Sequence, residues 1–167
     1  MYPIIRTSSC RCGCVELETV GTPVWVSKCY CDDCQAGARQ IEALPGAPVF
    51  CDPDGGTPYL VFRDDRYRFT RGADLLCSYT IRDATPTRRM VASCCNSGMF
   101  VKFGRAHWTS FYRARFAGDL PSLEIRIQTK HRPPGPDLPN DVPNFEGFPI
   151  RLFARLAIAR VAMSFHW

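Results

Sequence analysis

Ten cysteines in 167 residues, eight of them in three tight clusters, constrain this chain more than any other feature of its sequence. The clusters read Cys10-Arg-Cys12-Gly-Cys14, Cys29-Tyr-Cys31-Asp-Asp-Cys34 and Cys94-Cys95, while Cys51 and Cys77 stand alone. Three sulfurs within six residues, as in C-x-C-x-x-C, follow neither the helical nor the strand period of a hydrophobic core. The stretch Met1 to Ser9 holds no apolar run of secretory length and is interrupted by Pro3, so a cytoplasmic location is expected. In that reducing compartment clustered thiols serve as metal ligands or catalytic groups rather than disulfides. Zinc suits such a set, because it takes four soft ligands at tetrahedral corners about 2.3 Å away. Short local spacings supply two or three sulfurs at low loop-closure cost, and a distant cluster completes the shell. Lone Cys51 and Cys77 read as small core hydrophobes.

Two other thiol chemistries are weighed against zinc. Cys31-Asp-Asp-Cys34 has the spacing of a dithiol switch, but such switches sit at a helix N-terminus in a βαβ unit. The local pattern here reads as a hairpin, Cys29 adds a third thiol, and the two Asp would raise rather than lower a thiol pKa. A thiolate-protease reading needs a His partner, and His107, His131 and His166 all lie far away in sequence without a local signature.

Fourteen Pro and twelve Gly argue for many turns and short strands and against a helical bundle. The alternation of Val15 to Val20, the turn Gly21-Thr-Pro23 and Val24 to Lys28 predict a hairpin. A short helix is expected over Gln35 to Leu44, ended by Pro45-Gly46. Further strands are expected at Pro58–Arg63, Tyr67–Thr70, Leu76–Ile81, Arg89–Ser93, Met99–Phe103, Trp108–Arg113 and Leu123–Gln128. The expected fold is therefore mainly β, an antiparallel zinc-bound β scaffold with short helices, in a single domain over residues 1–167. Residues 131–149 carry six Pro and read as an extended loop. Residues 148–165 read as a C-terminal helix whose apolar positions leave no wide polar face, so that it should be covered by its own domain or by a second copy of the chain. Arg151, Arg155 and Arg160 exclude it as a membrane span.

Formal charge is +5, carried by eighteen Arg against three Lys. Guanidinium forks suit carboxylate and phosphate. Yet the densest basic stretch, Arg63 to Arg71, is diluted by Asp64 and Asp65 and carries no nucleic-acid-binding motif, so it reads as a solvated strand face.

Taken together, Cys10-Arg-Cys12-Gly13-x-Val15, Cys29-x-Cys31-x-x-Cys34, Gly55-Gly56-Thr57, Phe62 and a Cys pair ahead of Gly98 resemble the glutathione-dependent formaldehyde-activating enzyme family, which includes centromere protein V-like proteins. The resemblance covers about residues 8 to 103; the tail from Gly104 onward has no counterpart in it. It implies two zinc ions per chain on an all-β scaffold. One is structural, held by the C-x-C and a later C-x-x-C, and the other is held by C-x-C-x-x-C and open to a substrate thiol. By position, Cys10, Cys12 and Cys94 match the structural site, and Cys29, Cys31 and Cys34 match the open one. The chain departs from the pattern at Ser97, which stands where the family has its last Cys. Cys95 is the favoured replacement. Cys14 is the rival, since residues 10, 12 and 14 would face one way on a regular strand, although Gly13 suggests a turn.

A zinc held by three thiolates activates water poorly but can take up a substrate thiol and keep it ionised. The resemblance implies glutathione as that thiol, formaldehyde as the electrophile, and carbon–sulfur lyase chemistry on their adduct through Cys29, Cys31 and Cys34. The alternative is a non-catalytic structural zinc module that binds a protein or nucleic-acid partner. The expected partners are accordingly a small-molecule thiol, and a second copy of the chain through the C-terminal helix, with neither nucleic acid nor membrane.

Overall fold

The computed structural model describes residues 3–165, so His166 lies outside the described residues. Ten strands are formed: β1 (Ile5–Ser9), β2 (Glu16–Val20), β3 (Trp25–Cys29), β4 (Thr57–Arg63), β5 (Tyr67–Arg71), β6 (Leu76–Tyr79), β7 (Thr87–Ala92), β8 (Ser97–Phe103), β9 (Trp108–Tyr112) and β10 (Ile125–Ile127). Two helices accompany them, α1 (Asp32–Glu42) and α2 (Ile150–Ser164). A small sheet runs β1-β2-β5 and a large one runs β10-β3-β4-β9-β8-β7-β6. The fold is thus mainly β, as composition and turn spacing predict.

Strand β4 shows how the layers are bonded together. Its residues are apolar in succession, Tyr-Leu-Val-Phe, which suits a strand buried on both faces. Tyr59 and Val61 pack in one core with Ala38 and Ile41 of α1 and Leu152 and Leu156 of α2. Leu60 and Phe62 point the other way, into a second core with Val15 and Leu17 beside the small sheet.

The expected hairpin over Val15 to Lys28 does not form. β2 pairs with β1 and β5, whereas β3 pairs with β4 and β10. The Gly21-Thr-Pro23 turn instead hands the chain from one sheet to the other: the Gly21 N–H donates to the Ile4 carbonyl and the Val24 N–H to the Val61 carbonyl. Gly21 takes a left-handed φ of 83°, and Pro23 has no N–H to give to a hairpin ladder. β1, for which the sequence carries no strand signal of its own, is held by its five-residue register against β2. β10 also departs from expectation, since it runs parallel to β3. The Pro-rich loop then covers its outer edge, with the Arg126 N–H donating to Pro143 and the Phe145 N–H to Arg126.

Helix α2 is covered along one stripe only. Leu152, Leu156 and Ala159, at helical spacing, are buried, while Ile150 is 86% exposed and Phe153, Ile158 and Val161 are also exposed. The single chain therefore covers only one stripe of the helix, because one stripe is all that a helix lying on a sheet can bury. Among the described residues no helix is long and apolar enough to cross a membrane. Arg68 and Arg71 in the basic stretch pair with Glu18 and Glu16 across β2 and β5, which is the solvated face expected.

Candidate metal centres

Each cysteine cluster sits where the chain turns. After β1, the Gly13 N–H donates to the Cys10 carbonyl and the Cys10 N–H to the Val15 carbonyl, closing a tight connection with Gly13 at a left-handed φ of 78°. The Val15 N–H also points at the Cys10 sulfur, 3.3 Å away. Cys94 and Cys95 occupy the connection between β7 and β8, which Asn96 turns at a φ of 54°. Asn tolerates that conformation better than other non-glycine residues. The Arg11 N–H donates to the Ser97 hydroxyl at 3.0 Å and joins the two tips.

The result is a group of four sulfurs from Cys10, Cys12, Cys94 and Cys95, all within 4.8 Å of one another. Four of the pairwise separations are 3.6, 3.8, 3.3 and 3.9 Å, for Cys10–Cys12, Cys10–Cys94, Cys12–Cys94 and Cys94–Cys95. The edge of a tetrahedron with about 2.3 Å metal–sulfur bonds is about 3.8 Å, so these residues could hold a metal ion. The fourth sulfur of the group is that of Cys95, while Cys14 is exposed and outside it.

The second group comprises Cys29, Cys31 and Cys34, again with sulfurs within 4.8 Å of one another. Cys29 closes β3 on the face of Trp25 and is buried. Cys31 is the N-cap of α1, and its sulfur accepts from the Cys34 N–H at 3.4 Å. The helix thus starts at Asp32, three residues before the sequence signal at Gln35, because the Cys31 sulfur caps it and Asp32 and Asp33 favour its positive end. A helix N-terminus at the C-x-x-C is therefore present, and that objection to a dithiol switch falls; the third sulfur still sets the site apart. Hydrogen bonds from Cys29 and Cys34 hold the Cys31 thiol far below its ordinary value, and the same contacts push Cys29 up. Burial pushes the Tyr59 phenol well up, so its neutral Oη stands 3.4 Å from the Cys34 sulfur.

Cys31 and Cys34 form part of the wall of a cavity of about 300 Å³. Val101, Phe103 and Phe148 give it an apolar side, and Asp32, Asp33, Arg89 and His131 a polar one. His131 was set aside on sequence distance, yet the fold returns it to α1. Its Nδ1 lies 2.9 Å from the Asp32 carboxylate, and the Gln35 amide donates to its carbonyl at 2.8 Å and to that of Tyr30 at 2.6 Å. Sequence offered no signal for Arg89 except Gly37, a glycine in mid-helix, where a Cβ would lie 2.0 Å from the Arg89 Nε.

The remaining residues have structural roles. His107 Nε2 is 2.8 Å from the Leu156 carbonyl and braces α2. Cys51 is half-buried and Cys77 exposed, and neither joins a group. Gly55-Gly56-Thr57 is a turn, with the Asp52 N–H donating to Gly56 and the Gly55 N–H to Asp52, and it does not line the cavity. A Cβ on Gly56 would meet Lys28 Cε at 2.5 Å and Tyr30 at 2.7 Å.

No protein-family model and no curated protein matches this chain. Among solved structures it is similar to the crystal structure of a Rhodobacter sphaeroides protein, with 17% identity and a TM-score of 0.49 over 83% of this chain and 98% of that one.

Proposed function

We propose that the protein binds two zinc ions, one closed in by four sulfurs and one open at Cys29, Cys31 and Cys34, and that the open site makes it a carbon–sulfur lyase acting on a thiol–aldehyde adduct. The observation that carries this reading is the cavity of about 300 Å³ against Cys31 and Cys34, beside a group of three sulfurs rather than four. Soft thiolates at tetrahedral spacing select zinc over harder metals. When bound, the ion keeps an entering thiol ionised at neutral pH.

The chain's own residues supply the rest. His131, oriented by Asp32, accepts the hydroxyl proton of an R–S–CH₂–OH adduct. As that proton leaves, the oxygen–carbon double bond forms, the carbon–sulfur bond breaks, and its electron pair stays on sulfur. The products are the aldehyde and the thiol, which regains a proton, so no oxidant or reductant is needed. Val101, Phe103 and Phe148 screen the reacting carbon from water. S-Hydroxymethylglutathione is the adduct implied by the resemblance of the cysteine motifs.

Glutathione titrated into the zinc-loaded protein tests this reading. It should bind at or below about millimolar concentration with release of about one proton near neutral pH, counted by calorimetry in two buffers of different ionisation enthalpy. X-ray absorption should show the average sulfur count rising. If another thiol does this and glutathione does not, only the substrate is misnamed. If no thiol changes either quantity, a non-catalytic zinc module is the better account.

A further inference from the structure

Arg89 is a buried cation with no carboxylate partner among the described residues. It extends from β7 beneath α1, only 2% exposed, with its guanidinium packed where a Gly37 side chain would otherwise be. Nη2 donates to the Asp33 carbonyl at 2.5 Å, while Nη1 is buried and has no partner among the described residues. The two nearby acids are engaged elsewhere: the Asp33 carboxylate pairs with Arg82 at 2.9 Å and that of Asp32 with His131 at 2.9 Å. A buried charge is tolerated when an opposite charge lies close by. Arg89 lines the same cavity as Cys31 and Cys34.

We propose that Arg89 is the specificity-determining residue of the three-sulfur centre, supplying the fixed positive charge that lets it accept an anionic fourth ligand, a thiolate, over a neutral one. This rests on the reading of Cys29, Cys31 and Cys34 as an open metal centre. A divalent ion held by three thiolates is left with one net negative charge, and a fourth thiolate adds another. In a poorly screened site that second charge is strongly disfavoured. The guanidinium offsets it, whereas a neutral ligand such as imidazole gains nothing from the same charge. Gly37 is then the position that makes room for the counter-charge, which accounts for a residue that weakens the helix.

The test uses the full chain loaded with cobalt(II), whose absorption spectrum reports its ligands, titrated separately with 2-mercaptoethanol and with imidazole. Neither probe carries a carboxylate. Arg89→Gln should weaken binding of the thiol roughly tenfold to a hundredfold while changing that of imidazole less than about threefold. Arg89→Lys, which keeps the charge, should recover most of the loss. Gly37→Ala should behave like Arg89→Gln, because the methyl group displaces the guanidinium while alanine favours the helix. This variant carries the test if Arg89→Gln does not fold. An unchanged ratio of thiol to imidazole affinity in the folded variants would overturn the proposal. Should the unsubstituted protein take up neither probe, the open-centre reading fails first, and Arg89 loses its role with it.

Discussion

The four-sulfur group draws on hairpin tips far apart in sequence, Cys10 and Cys94 being separated by 84 residues, one tip in the small sheet and the other in the large sheet. The three-sulfur group draws on six consecutive residues at the junction of β3 and α1. A metal in the first closes a long loop and ties two sheets together, so its binding free energy becomes folding free energy. A metal in the second adds little to a turn that the helix cap and the strand ladder already define. The first group also provides four sulfurs, whereas the second provides three and a cavity. Ligands gathered from distant segments make a staple. Ligands from one turn, with space left beside them, make a site where something can bind.

The largest expected effect breaks that comparison if it fails. Cys12→Ser should abolish the cooperative thermal transition, because apparent zinc binding on the order of 10 kcal/mol is coupled to the folded state. Cys31→Ser should retain the transition at a cost of about 1–3 kcal/mol. Metal analysis should give about two zinc per chain for the unsubstituted protein and one for Cys31→Ser. Equal loss of structure in both variants, followed by circular dichroism, would show that the local group is also a staple.

A smaller effect sharpens the identity of the fourth ligand. Cys95→Ser should cost on the order of 3 kcal/mol and release the structural zinc to a chelator that the unsubstituted protein withstands. Ser97 Oγ lies 3.1 Å from the Cys95 sulfur, at the same hairpin tip. Adding Ser97→Cys to Cys95→Ser should therefore restore most of the chelator resistance. No recovery would mean that the backbone turned by Asn96 cannot present a sulfur from position 97.

Behind the three-sulfur turn stands an ionic brace. Lys28 pairs with Asp52 at 2.6 Å and Asp54 at 2.8 Å, and the Tyr30 hydroxyl donates to Asp54 at 2.9 Å. Burial pushes the Asp54 carboxyl up, but Lys28, the Gly56 N–H and Tyr30 together outweigh it and hold it below its ordinary value. A carboxyl lowered in the folded state stabilises the protein above its unfolded pKa of about 4, and the benefit disappears as pH falls through the lower folded value. Asp54→Asn should thus cost about 1 kcal/mol at pH 7, discounted for partial exposure, and nothing once the pH has fallen below that lowered folded value. Thermal melts of the two proteins across that range should converge at the acid end.

The cysteine groups were legible because metal ligands impose spacing on the sequence itself: three sulfurs in six residues survive any uncertainty about strand pairing. Most strands could be read for a similar reason, since period-two burial and Gly or Pro turns are local. Pairing was not. The choice of β2 to join β1 and β5 is made by two backbone hydrogen bonds on either side of Thr22, and no side-chain pattern records it. The cavity was equally hidden. Arg89, His131 and Phe148 reach it from β7, from the turn after β10 and from the end of the Pro-rich loop, so only the completed sheet brings them together. The segment after Gly104, beyond the family resemblance, provides β9 inside the large sheet, β10 at its edge, and α2, and it also brings His131 and Phe148 to the cavity.

The smallest expected effect belongs to Cys14, and it separates two readings that spacing alone left open. On a regular strand Cys10, Cys12 and Cys14 would face one way and share a metal. Gly13, at a φ of 78°, breaks that register and leaves the Cys14 side chain exposed, outside the group that Cys10 and Cys12 form. What neighbours Cys14 is its own backbone carbonyl against Gly72, where a Cβ would lie 2.1 Å from the oxygen. That contact depends on the path of the chain and not on the sulfur. Cys14→Ser should therefore change stability by less than about 0.5 kcal/mol and leave two zinc bound, with an unaltered average sulfur count by X-ray absorption. A drop in zinc content with Cys14→Ser, paired with indifference to Cys95→Ser, would transfer the fourth ligand from the β7–β8 tip to the first hairpin. The two sheets would then be tied by Cys94 alone, and the contrast between staple and open site would narrow to a single sulfur.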